Sequence, residues 1–222
     1  MRIKLKKMPL SMMVEGCSGL LNPTALVHLE AATKEYPKDV VVTSAWYGAD
    51  AALEHRRLNK RYKMPGFSPY NFGLAVKVGV ELPGTVAQFV ETAEKHGWFA
   101  IDRNFPALIA PGELVYLGKD GWELLARLEE PANAETWGQV AEMRMFEMHF
   151  QDFALSPSQV QTYLHKQGFY TGPIDGKATT QMREAVMAFQ RAWMEGAPPG
   201  NHHDINTQRV IAVVTADMEV LA

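Results

Sequence analysis

Apolar residues return every three to four positions in some stretches of this chain and run together in others, and the two patterns alternate over its first hundred residues. Leu26, Leu29, Ala32 and Thr33 share one helical face, with Asn22 placed to cap it and Pro23 at the first helical position. The β-branched run "DVVVTSAW" predicts a buried strand, and "GADAALEHRRLNKRY" returns to the helical period. "GLAVKVGVEL" predicts a second strand. From Thr85, Val86, Phe89, Val90 and Ala93 mark another helix that Gly97 stops. "LVYLGKDGWELLARL" predicts a β-hairpin turning at Asp120 and Gly121, and "MRMFEMHFQDF" a strand with Glu147 and His149 on one face.

The pattern changes near Ala154. Ser156 followed by Pro157 starts a helix, "SPSQVQTYLHKQG", that Gly168 closes. We therefore expect two domains, residues 1–154 and 155–222, with almost no linker and no dominating internal repeat.

Composition narrows the classes. With 47% hydrophobic and 21% charged residues the 222-residue chain reads as an ordinary globular protein, and its net charge of −3 gives no reason to expect nucleic acid. The single cysteine, Cys17, excludes an internal disulfide framework and a cysteine-based zinc ribbon, and it reads as a plain small residue. The basic opening "MRIKLKKMPLSMMVEGCSG" has too short an apolar run for a secretory signal or a membrane span. Synthesis in the host cytoplasm without a signal peptide and without membrane insertion is the expectation. The five tryptophans, Trp46, Trp98, Trp122, Trp137 and Trp193, read as core.

From Val160 the chain reads "VQTYLHKQGFYTGPIDGKATTQMREAVMAFQ". Gln161 and Leu164, then Gly168, Phe169, Tyr170 and Gly172, then Ile174, Asp175 and Gly176, then Ala185, Val186, Phe189 and Gln190 resemble the small three-helix peptidoglycan-binding domain of cell-wall hydrolases. The resemblance implies an all-α three-helix unit with bacterial peptidoglycan as partner. Its markers are Gly168, Tyr170, Asp175, Gly176, Phe189 and Gln190. Physically, the glycines permit a tight reversal, Asp175 has local backbone amides within reach, and the apolar positions fill a small core. Met182 stands where that family usually has threonine and Thr179 where it often has glycine, and the last element, "GAPPGNHHDINTQRVIAVV", is irregular. Adjacent His202 and His203 point in different directions and read as a solvated loop.

From about Leu20 to Phe150, the ordered pieces "LNPTALVHLEAA", "VVTSAWYG", "SPYNFGLAVKV", "AEKHGW" and "FEMHF" resemble the VanY-like zinc D-alanyl-D-alanine carboxypeptidases and L-alanyl-D-glutamate endopeptidases. That resemblance implies an α+β fold, a small antiparallel sheet with flanking helices. It also implies two histidines and one carboxylate around zinc, leaving a water to be activated. Ser68, Gly73 and Ala75 match the family's first motif, but Tyr70 takes the place of its histidine and Lys77 that of its aspartate. Tyr47 replaces an arginine suited to steadying an oxyanion. His149 matches the last ligand, and Glu147, two residues before it rather than three, is at best a displaced general base. His28, His55 and His96 form no substitute set.

Three functions stay open on these residues. The first is a cell-wall-associated pseudoenzyme without cofactor, a peptidase-like scaffold in a phage or phage-like particle, in contact with peptidoglycan and other particle proteins. The second is an active endolysin-type peptidoglycan peptidase with a relocated or non-standard metal site, zinc being the alternative cofactor. The third is a purely structural packing protein.

Overall fold

A computed structural model describes residues 3–59, 63, 66–80, 86–100, 112–118, 154–194, 204–215 and 218–221. The fold is α+β with small antiparallel sheets. Two compact units are present, one made of Met1–Ile3, Tyr47–Asn71 and Asp152–Glu219, the other of Lys4–Trp46, Phe72–Gln151 and Val220–Ala222.

The second unit carries the sheets. Strands β3 (Val40–Ser44), β4 (Ala75–Val80), β5 (Trp98–Ala100) and β6 (Gly112–Tyr116) form a four-stranded sheet in the order β3-β4-β6-β5, with every pairing antiparallel. β1 (Ile3–Lys7) pairs antiparallel with the two-residue β2 (Leu20–Leu21), and β7 (Met218–Leu221) lies on the other side of β1. β1 was not evident from the sequence because its buried Leu5 stands among exposed Lys4, Lys6 and Lys7.

Helix α1 (Pro23–Glu35) begins as its sequence dictates: the Asn22 side chain accepts from the Thr24 and Ala25 amides. Its buried face is Ala25, Leu26, Leu29 and Ala32, whereas Thr33 is only half-buried and turns its hydroxyl to the Glu30 carbonyl. α3 (Val86–Lys95) buries Val86, Phe89 and Ala93. Trp98 is fully buried and donates from Nε1 to the Ala25 carbonyl at 3.2 Å, tying β5 to α1. At the far ends of α1 and α3, the Glu35 carboxylate meets His96 Nε2 at 2.9 Å and Lys95 Nζ at 3.3 Å, and these two partners hold its pKa below the ordinary value. Asp120, Gly121, Glu147, His149, His202 and His203 lie outside the described residues, so the second hairpin arm and the Glu147 strand do too.

The first unit is helical. It contains α2 (Ala49–Leu58), α4 (Pro157–Lys166), α5 (Thr180–Trp193) and α6 (Ile205–Val214). Ser156 and Gln159 form a reciprocal capping box on α4, and Thr179, the residue that departs from glycine, caps α5 by accepting from the Met182 amide. The segment that reads as irregular contains the regular helix α6, capped by Asp204 through the Thr207 amide. Val160, Leu164, Val186, Phe189, Val210 and Ile211 are fully buried at its core. No helix among the described residues is long and apolar enough to cross a membrane.

Candidate functional site

Two loops of the first unit carry most of the residues singled out by sequence, and each is built around one buried amide side chain. In the C-terminal loop that residue is Gln161, fully buried on α4. Its Oε1 accepts from the Gly176 amide at 2.7 Å, while its Nε2 donates to the Lys177 carbonyl at 3.0 Å and to Asp175 Oδ1 at 3.2 Å. Asp175 Oδ1 also accepts from the Lys177 amide at 3.0 Å, and its Oδ2 lies 3.7 Å from the Lys177 ammonium. The Lys177 amide first, then Gln161, hold the Asp175 carboxyl below the ordinary aspartate range.

Tyr170 fixes the other end of the same loop. Its buried hydroxyl donates to the Pro173 carbonyl at 2.9 Å, and its own carbonyl lies 2.9 Å from His165 Nδ1. Gly176 sits at φ +75°, a conformation that costs any other residue strain. Beneath the loop, Phe169 meets Phe189 edge-on with ring centroids 5.5 Å apart. Gln190 donates to the Thr207 hydroxyl at 2.8 Å, which donates in turn to Asp204 at 2.7 Å and so binds α5 to α6. Of the marker residues, Tyr170, Phe189 and Gln190 are therefore interior, Gly168 ends α4, and only the Asp175 carboxylate faces outward. The role of Gln161 as the clamp was missed in the sequence, although a glutamine one helical turn from Leu164 on a core face was its signal.

In the second loop the central residue is Asn71, also fully buried. It accepts from the Gly66 amide at 3.0 Å and donates to the Tyr47 carbonyl at 2.9 Å. The Tyr47 and Ser68 hydroxyls are 2.9 Å apart. Tyr70, at the position the peptidase resemblance gives to a histidine ligand, is buried and stacks on Tyr47 with centroids 5.2 Å apart and planes inclined by 21°. His55 meets the same Tyr47 ring edge-on at 5.3 Å. A Cβ on Gly66 would come within 2.8 Å of the Val210 backbone nitrogen, so this loop lies directly against α6.

Lys77 belongs to the sheet unit, exposed on β4 beside a bulge at Thr43 in β3. It stands directly across from Glu113 on β6, an opposite-charge cross-strand pair. A zinc site of the implied kind needs two imidazoles and a carboxylate. A stacked phenol at Tyr70 and an exposed ammonium at Lys77 do not fit that donor set. Among the described residues no group of three or more His, Cys, Asp or Glu side chains is placed to hold a metal ion.

Residues 156–192 match the family model described as "Putative peptidoglycan binding domain". The match runs from the α4 capping box through the Gln161-clamped loop to the end of α5. No curated protein matches the chain. A solved structure of the LdcB LD-carboxypeptidase, described as revealing the molecular basis of peptidoglycan recognition, is similar over 60% of this chain and 72% of that one, with 18% identity and a TM-score of 0.40.

Proposed function

We propose that this protein is a cell-wall-associated pseudoenzyme that binds bacterial peptidoglycan through residues 156–192 and retains a peptidase-like portion as scaffold. The observation that carries the reading is the family match over those residues, on a loop whose backbone is fixed from inside while its polar groups face outward. The substitutions at Tyr70 and Lys77 support the loss of catalysis, because neither side chain supplies the imidazole or carboxylate that metal-assisted hydrolysis requires. The particle is a phage or phage-like one, and immunodetection of the protein in purified particles tests that placement.

Co-sedimentation of the full chain with purified sacculi tests binding, and elemental analysis with a stem-peptide release assay tests chemistry. The expected result is retention in the pellet, less than one equivalent of zinc and no peptide release. Stoichiometric zinc, lost together with release activity in His149→Ala, overturns the pseudoenzyme reading in favour of an endolysin-type enzyme.

A further inference from the structure

The loop between α4 and α5 is built inside out. Gln161 and Tyr170, both fully buried, hold its backbone at Pro173, Gly176 and Lys177. Such bonds restrict where the loop's outward side chains stand, which lowers the ordering cost of contact. What it presents outward is one large apolar side chain, Ile174, 48% exposed. Two opposite charges follow it in the chain, 3.7 Å from each other: the Asp175 carboxylate, 33% exposed, and the Lys177 ammonium, 79% exposed.

The two charges are not equivalent. Asp175 Oδ1 is committed to Gln161 and the Lys177 amide, so the carboxylate is fixed with Oδ2 toward the outside. The Lys177 ammonium, at 3.7 Å from Oδ2 on a flexible stem, is free to exchange that weak exposed pairing for another anion. A glycan strand is a poor complement to this arrangement, because sugars answer to stacked aromatic faces and hydroxyl-bonding side chains. A short peptide of alanyl methyl groups with carboxylates and amines at fixed spacing answers to an exposed apolar side chain followed by a carboxylate and an ammonium.

Building on the peptidoglycan-binding reading, we infer that Ile174, Asp175 and Lys177 form the contact face of the module and that it takes the stem peptide, not the glycan. Ile174 covers an alanyl methyl, Lys177 pairs with a stem carboxylate, and Asp175 Oδ2 receives an amine.

The test is binding of the full chain to intact sacculi and to the same sacculi stripped of stem peptides by an amidase, at low and moderate salt. Ile174→Ser, Lys177→Gln and Val27→Ser are compared with the parent; Val27, 61% exposed on α1, is the apolar control outside the module. The parent is expected to bind intact sacculi and not stripped ones. Ile174→Ser should weaken binding about tenfold with an unchanged melting temperature, as for a residue central to an interface. Lys177→Gln should weaken it about threefold and flatten its salt dependence. Val27→Ser should bind as the parent does. Parent-like binding by Ile174→Ser, or an equal loss in Val27→Ser, overturns the contact face. Equal retention of the parent on stripped sacculi overturns the stem peptide as ligand while leaving wall binding intact. No retention of the parent on intact sacculi overturns both this inference and the function it builds on.

Discussion

Gln161 and Asn71 do the same job in two loops, yet the loops face opposite ways. Each is a fully buried amide that satisfies backbone groups the helices leave over. Around Gln161 the flanking side chains point to water, whereas around Asn71 they turn inward, with Ser68 and Tyr70 both buried. The first arrangement leaves Ile174 and the Lys177 ammonium exposed. The second places Tyr70, at a position the peptidase resemblance gives to a ligand, against Tyr47, and Ser68 beside it bonds the Tyr47 hydroxyl.

The largest effect that separates the two loops is removal of the amide itself. Asn71→Ala leaves the buried Gly66 amide without its acceptor and the Tyr47 carbonyl without its donor, and should destabilise the unit by about 3 kcal/mol. Gln161→Ala breaks its bonds to Asp175, Gly176 and Lys177 in a loop that water reaches, so about 2 kcal/mol is expected. Chemical denaturation of both variants measures the difference, and sacculus retention below the transition should fall only for Gln161→Ala. Retention that survives Gln161→Ala would break the link between clamp and contact face.

Glycine replacement gives a smaller contrast. Gly176→Ala meets no atom closer than 3.9 Å and pays for φ +75° alone, about 1 kcal/mol. Gly66→Ala pays a similar conformational cost at φ +80° and also drives Cβ into the Val210 backbone, so about twice that loss is expected in thermal melts.

Acid gives the smallest and most local contrast. The Asp175 pKa is lowered in the folded protein, so its contribution is present above the ordinary aspartate value of about 3.9 and is lost as pH falls through the lowered one. Asn71 does not titrate. Amide-exchange protection at Lys177 should therefore drop below about pH 4 while protection at Gly66 holds, and Asp175→Asn should remove that acid step.

How much of this was legible depended on whether a residue's job is local. Asn22, Ser156 and Pro157 announce helix starts because capping is decided within three or four positions. The Val40–Ser44, Ala75–Val80 and Gly112–Tyr116 strands were legible as apolar runs. β1 was not, since three lysines surround its single buried leucine. The joining of 47–71 to the C-terminal helices was also hidden, because it rests on close approach at Gly66, in a loop that buried polar residues, Asn71 and Ser68, hold in shape. Polar character reads as surface until the distant partner is known.

That close approach also sets a clock. Gly66 leaves the ribosome about 140 positions ahead of Val210, the backbone it rests on, which at ~5–20 residues per second is a wait of roughly 7 to 29 s. For that interval Gly66 has no α6 to rest on, while the Val40–Ser44 and Ala75–Val80 strands already have each other. The nascent chain thus carries an aromatic loop that lacks its closing helix, and a chaperone or a protease could meet it in that state.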